Sequence, residues 1–206
     1  MVEGLESRTL LTGTYYVPLT IAHDYSADVT EDLEAFFATV DAGSTIVFPD
    51  LDYDADTVGY NIEGTLSILN MEDVVIEGNG AFLRAFDYDP PDPRNRRHVS
   101  IGDTNDGVTM QNFTIIGADP TPGTFSAPRE AQHGLSLGGS NILIDNVDIF
   151  SVAGDFVYFG AGASNVTVQN SYFDGAGRQG VAPCNGHDIL IQNNYINNVG
   201  RHLIDF

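Results

Sequence analysis

The chain is 206 residues long, enough for one substantial domain with a real core. Its 29 acidic residues face 8 basic ones, all arginine, for a net charge of −21. No basic stripe exists to meet a phosphate backbone, which excludes nucleic acid as a partner, and no apolar run approaches a membrane span. Two explanations of the acidity compete. One is a heavily solvated surface. The other is divalent cation binding, which makes Ca2+ a candidate ligand with no metal residues assigned. Cys184 is the single cysteine, so no internal disulfide can form.

In chain order, Met1–Leu11 lacks a basic stretch followed by an apolar one, so no signal peptide is expected there. Thr14–Ile21 reads as an extended strand. Asp28–Val40 is the one amphipathic helix: Thr30 is the expected N-cap, acidic residues fill the first turn, and Leu33, Phe36, Phe37 and Val40 form an apolar face. Asp41-Ala-Gly43 ends it. Strands are expected at Ser44–Phe48, Gly64–Leu69 and Asp73–Glu77. Asp87–Arg97 and Asp119–Arg129, both rich in proline, read as long loops.

One phrase then occurs four times: Gly107–Asn112, Asn141–Asn146, Asn165–Asn170 and Asp188–Asn193. Its closing asparagines lie 34, 24 and 23 residues apart. A period of this size signals a solenoid, and the alternation of apolar with polar residues makes it a strand repeat. Second strands follow at Phe113–Ile116, Val147–Phe150, Ser171–Phe173 and Asn194–Ile196. Third strands follow at Gly134–Leu137, Asp155–Phe159, Gln179–Ala182 and His202–Phe206. Three short strands per coil predict an all-β, single-stranded parallel β-helix. Residues 1–43 form an N-terminal segment whose helix caps the first coil, and residues 44–206 form the solenoid. Val108, Met110, Ile142, Ile144, Val166, Val168, Ile189 and Ile191 are the expected inward stack. Asn112, Asn146, Asn170 and Asn193 share one turn position and are expected to be structural. Leu203–Phe206 ends within a strand, so a continuation or a partner chain is expected there.

The entry from Asp28-Val-Thr-Glu-Asp-Leu through Gly43-Ser-Thr-Ile-Val-Phe-Pro49 to Val75-Ile-Glu-Gly-Asn-Gly-Ala-Phe-Leu83 resembles the pectin-lyase-like right-handed parallel β-helix superfamily. That group includes pectate-lyase-superfamily, polygalacturonase-related and tailspike-type proteins. Arg129–Leu137, Gly154–Gly160 and Gly177–Val181 carry the narrower polygalacturonase-related likeness. The resemblance implies a right-handed coil and an extracellular or virion-associated protein that cleaves or binds a polysaccharide. A tailspike-like protein would be a homotrimer. The reaction is not implied, because this fold hosts lyases, hydrolases, epimerases and non-catalytic adhesins. The single aspartate of Gly154-Asp155, with no following Arg-Ile-Lys, departs from the polygalacturonase pattern.

Stacked coils lie about 4.8 Å apart, so residues one period apart become neighbours. This ruler aligns His133, Asp155, Gln179 and His202 in one column and Gln132, Gly154, Arg178 and Arg201 in the next. Asp155, His133, Arg178 and Glu130 are the candidate catalytic residues. Gln132, Gln179, Arg201, His202, Tyr158 and Asp205 are candidate substrate contacts. Guanidiniums suit the carboxylate of a uronate, and a histidine tuned by Asp155 suits proton transfer. Tyr158 and Phe156 are candidate stacking surfaces for sugar rings. Asp155 and Asp205 are expected about 14 Å apart at Cα, two coils along the axis and three residues along the strand, which makes Glu130 the better second acid. The competing expectations are a plain Asp155–Arg178 surface bridge and a glycan-binding module without catalysis.

Overall fold

The computed structural model describes residues 12–89 and 96–205. Met1–Leu11, the centre of the Asp87–Arg97 loop and Phe206 fall outside the described residues. Strands β1 (Thr14–Tyr16) and β2 (Asp24–Asp28) precede helix α1 (Thr30–Phe37). The solenoid continues through β3 (Thr45–Val47), β4 (Gly59–Asn61), β5 (Leu66–Ile68), β6 (Val75–Arg84), β7 (Val99–Ile101) and β8 (Thr109–Ile116). After a 3-10 turn at Ala127–Arg129 come β9 (Leu135–Leu137), β10 (Ser140–Val152), β11 (Val157–Phe159) and β12 (Ser164–Gln169). The last elements are β13 (Tyr172–Ala176), β14 (Val181–Ala182), β15 (His187–Gln192) and β16 (Tyr195–Val199).

Every paired strand ladder is parallel, with partners about one period apart in sequence. One sheet runs β1-β3-β6-β8-β10-β12-β15, with β13 and β16 continuing the second halves of the coils. The third strands form their own sheet in the order β14-β11-β9-β7-β5. Two crossovers per coil return the chain to the same register, and the result is the expected parallel β-helix.

The repeated phrase sets both bends of each coil. Its closing residues Asn112, Asn146, Asn170 and Asn193 adopt φ of 61°, 54°, 56° and 56°. Asparagine tolerates this left-handed region where most side chains do not. The opening residues Gly107, Asn141, Asn165 and Asp188 do the same, at 71°, 56°, 51° and 55°. That second left-handed column is a finding beyond the sequence reading. Side-chain amides tie the bends between coils: Asn146 Nδ2 donates to Asn112 Oδ1 at 2.8 Å, and Asn165 Nδ2 donates to Asn141 Oδ1 at 2.6 Å. Acids anchor both columns, as Asn112 donates to Glu77 in the closing column and Asn141 donates to Asp106 in the opening one.

Inside, Ile76, Met110, Ile144, Val168 and Ile191 stack in register across five coils. All but Ile191 are buried; it and Ile189 are half-exposed because no further coil covers them within the described residues. At the other end α1 lies against β5, burying Leu33 and Phe37 in the core. Glu34 accepts the Ser67 N–H at 2.6 Å, satisfying an edge donor of β5. The helix is shorter than expected, and Thr30 is not its cap. Val29 occupies that position without a side-chain bond, and Thr30 instead donates N–H and Oγ1 to Asp28 at 3.0 and 2.6 Å. Asp28 is a stronger acceptor than a hydroxyl and sits close enough to take both bonds.

Candidate functional site

The third sheet carries the aligned columns. Leu135 pairs with Val157, Val157 with Val181, and Val181 with Ile204. Two residues upstream, His133, Asp155, Gln179 and His202 therefore fall in one row, as the period predicts. Backbone bonds from Gly154 to Gln132, Arg178 to Gly154, and Arg201 to Arg178 fix the second row. Val99 pairs with Leu135, which extends the first row backward to Arg97. The sequence reading missed Arg97 because the long loop before it breaks the period.

Asp155 is the centre. It is 0% exposed, and its carboxylate accepts the Gln179 N–H at 2.8 Å and Arg178 Nη1 at 2.8 Å. Burial dominates these bonds and raises its pKa to about 6. Arg178 continues outward, its Nε 3.7 Å from the exposed Glu130 carboxylate. Gln179 continues the other way: its Nε2 donates to Asp205 Oδ2 at 2.7 Å. Asp155 and Asp205, which the coil geometry alone sets apart, are thus joined by the two nitrogens of one glutamine. His202 Nδ1 lies 3.9 Å from Asp205.

His133 touches Asp155 differently from the expected acid–base pair. It is 4% exposed, and desolvation, followed by the fields of Arg97 and Arg178, lowers its pKa to about 3. Its Nδ1 accepts the Asp155 backbone N–H at 3.1 Å, which leaves the ring proton on Nε2. The 3.3 Å approach of Nδ1 to the Asp155 carboxylate therefore joins a neutral ring to an acid and is no ion pair. Tyr158 stacks on the same imidazole, centroids 4.7 Å apart and planes 6° from parallel.

Other candidates separate by exposure. Phe156 is 0% exposed and packs on Phe173 in the core, so it cannot stack on a sugar. Its position is the last before the strand, where the side-chain alternation turns inward. Gln132 is buried, and its amide donates to the Tyr88 carbonyl at 3.2 Å. Arg129 lies over the Tyr88 ring at 4.1 Å. Arg201 is exposed, with its guanidinium 4.6 Å from the Phe125 centroid. These contacts place the Asp119–Arg129 loop along the solenoid as one wall of the third sheet. Pro122 of that loop meets Gly175, where a Cβ would approach to 2.7 Å, and the Thr124 carbonyl meets Gly177, where a Cβ would approach to 3.0 Å, so glycine lets the wall close down. The floor beside it is a row of half-exposed side chains, Ser67, Ser100, Ser136 and Tyr158, in continuous register. Among the described residues, no group of three or more His, Cys, Asp or Glu side chains is placed to hold a metal ion. No helix among the described residues is long and apolar enough to cross a membrane.

A parallel solenoid with a polar, loop-walled face on its third sheet defines a β-helix protein. A family profile described as "Right handed beta helix region" matches residues 97–206, more than half of the chain, and the protein belongs to that family. No curated protein matches it. No solved structure matches it.

Proposed function

We propose that this is an extracellular or virion-associated, carbohydrate-active β-helix protein that cleaves an extracellular polysaccharide along its third sheet, by lyase or hydrolase chemistry. One observation carries the reading: a carboxyl group, Asp155, is held fully buried at a strand entry, between Arg178, Gln179 and a neutral His133. Burying an ionisable group is costly, and the apolar stack beneath does not require one. Groups of this kind cluster at functional sites, and a carboxyl raised to about 6 is poised for proton transfer near neutral pH. Glu130 and Asp205 extend the cluster to solvent on either side.

The test is a panel of polysaccharides read two ways. Unsaturated-uronate absorbance reports elimination, and new reducing ends without absorbance report hydrolysis. Asp155→Ala and Arg178→Ala should each lower kcat/KM by about a hundredfold or more while the far-ultraviolet circular dichroism stays that of the wild type. Activity retained within about threefold in both variants would sink the catalytic reading. A second reading, a glycan-binding module without catalysis, is favoured by the near-complete burial of His133 and Asp155, which would leave contact with a glycan to the more exposed Glu130, Tyr158 and Asp205. Binding without either product signal would establish it.

A further inference from the structure

The open groups of the groove are carboxylates, and its arginines are already engaged. Arg178 is shared between Asp155 and Glu130. Arg129 pairs with Asp89 and covers Tyr88. Arg96 is buried, donating to the carbonyls of Asp87 at 2.8 Å and Ile62 at 3.1 Å. Arg201 lies over Phe125. Of the acids in this cluster, Glu130 and Asp205 reach solvent, in a chain of net charge −21.

Tyr158, Ala182 and Asp205 follow one another in a single column. His133 covers one face of the Tyr158 ring, and the next residue in the column, Ala182, has nothing beyond Cβ to cover the other. Two coil spacings separate Tyr158 from Asp205, about 9.6 Å, enough for a pyranose ring between them. Gln179 lies beside this notch. Its amide nitrogen orients Asp205, and its buried Oε1 has no hydrogen-bond partner. An aromatic face, a carboxylate and an unfilled amide acceptor are the chemistry that recognises sugar hydroxyls.

We infer that the groove takes a neutral glycan rather than a polyuronate, with one sugar ring seated in the notch between Tyr158 and Asp205. This rests on the glycan reading above and narrows it. The Asp205 carboxylate accepts hydrogen bonds from vicinal hydroxyls, and the free face of Tyr158 stacks on the ring. A neutral sugar has no carboxylate to acidify the proton that β-elimination removes, so cleavage here is hydrolytic. The glycosidic C–O bond breaks with its electron pair on the leaving oxygen. Water supplies a proton to that oxygen and its hydroxyl to the anomeric carbon.

The experiment measures binding of the full chain by calorimetry to a xylan, a galactan and a dextran, and to polygalacturonate and alginate of similar length. Each titration is run at about 0.02 M and about 0.3 M salt, which shortens the screening length severalfold. At least one neutral glycan should bind with a Kd that changes less than about twofold between the two salts. Asp205→Asn and Tyr158→Ala should each weaken it about tenfold or more, as loss of a charged hydrogen bond or a stacking face does. Circular dichroism on both variants checks that the fold is kept. A polyuronate that binds more tightly than every neutral chain, with affinity falling as salt rises, would overturn the inference and leave the glycan reading standing. Neutral binding untouched by both variants would overturn the notch. Binding of no glycan at all would remove the glycan reading, and the inference with it.

Discussion

His98 and His133 sit on adjacent coils with their protons on opposite nitrogens. His98 Nδ1 lies 2.9 Å from the His133 carbonyl, which only accepts, so that nitrogen carries the proton. His133 accepts at Nδ1 and carries its proton on Nε2. Burial lowers both to about 3, well under the ordinary value of 6.5. Both rings are therefore neutral when folded and take up protons on unfolding below about pH 6.5, so their contribution is lost as pH falls. Asp155 runs the other way: its raised value, about 6, favours the fold as pH falls through that value toward 3.8. Each group shifts stability by about 1.4 kcal/mol per pH unit within its window. Two histidines against one aspartate give a net loss of about 2 kcal/mol between about pH 6.5 and about pH 5. Urea unfolding at the two pH values measures it. His98→Asn, whose amide can keep the bond to the carbonyl, should remove most of that loss, and an unchanged pH slope would refute the account. Which residues align was readable from sequence, since His133, Asp155, Arg178 and Arg201 follow from the period alone. Which of them are buried was not. That depends on loop residues such as Tyr88 and Arg129, whose packing no repeat encodes.

The bends carry the repeat. Asn146 holds φ of 54° while its amide donates to Asn112, so it serves both the left-handed turn and the column. Replacing it by alanine keeps neither and should cost about 2 kcal/mol, from left-handed strain and a lost exposed hydrogen bond. Asn146→Gly relieves the strain and should cost less than half as much. Denaturation midpoints of the two variants decide it, and equal losses would mean that the amide column, not φ, holds the bend. The sequence marked the closing asparagines as structural because they recur at one offset. It hid the opening column, because Gly107, Asn141, Asn165 and Asp188 share a conformation without sharing a residue type. The helix was legible as a cap from its apolar face, and Leu33 and Phe37 do enter the core. Its N-terminus differs from the expected one because Asp28, one residue before Val29, takes both the N–H and the hydroxyl of Thr30, a competition that residue types alone do not reveal.

Across the whole molecule, the acidic excess is distributed rather than gathered. Glu77 accepts from Gln111 and Asn112, Asp106 from Ser140 and Asn141, and Asp145 from Gln169 and Asn170. These carboxylates are consumed in holding coils together, which also draws Glu77 and Asp106 below the usual carboxylate range. The remaining charge repels itself at a net −21. Screening by any salt should therefore stabilise the fold, and a divalent ion should add nothing beyond its ionic strength. Moving from about 0.01 M to about 0.15 M NaCl shortens the Debye length from roughly 30 Å to roughly 8 Å. If about 1 kcal/mol of repulsion is relieved, Tm rises by about 2–4 °C for a domain of this size. CaCl2 matched in ionic strength should give the same rise, and EDTA should leave Tm unchanged. A calcium increment well above the matched NaCl value would instead mean that some of these carboxylates leave their amide partners to bind the ion.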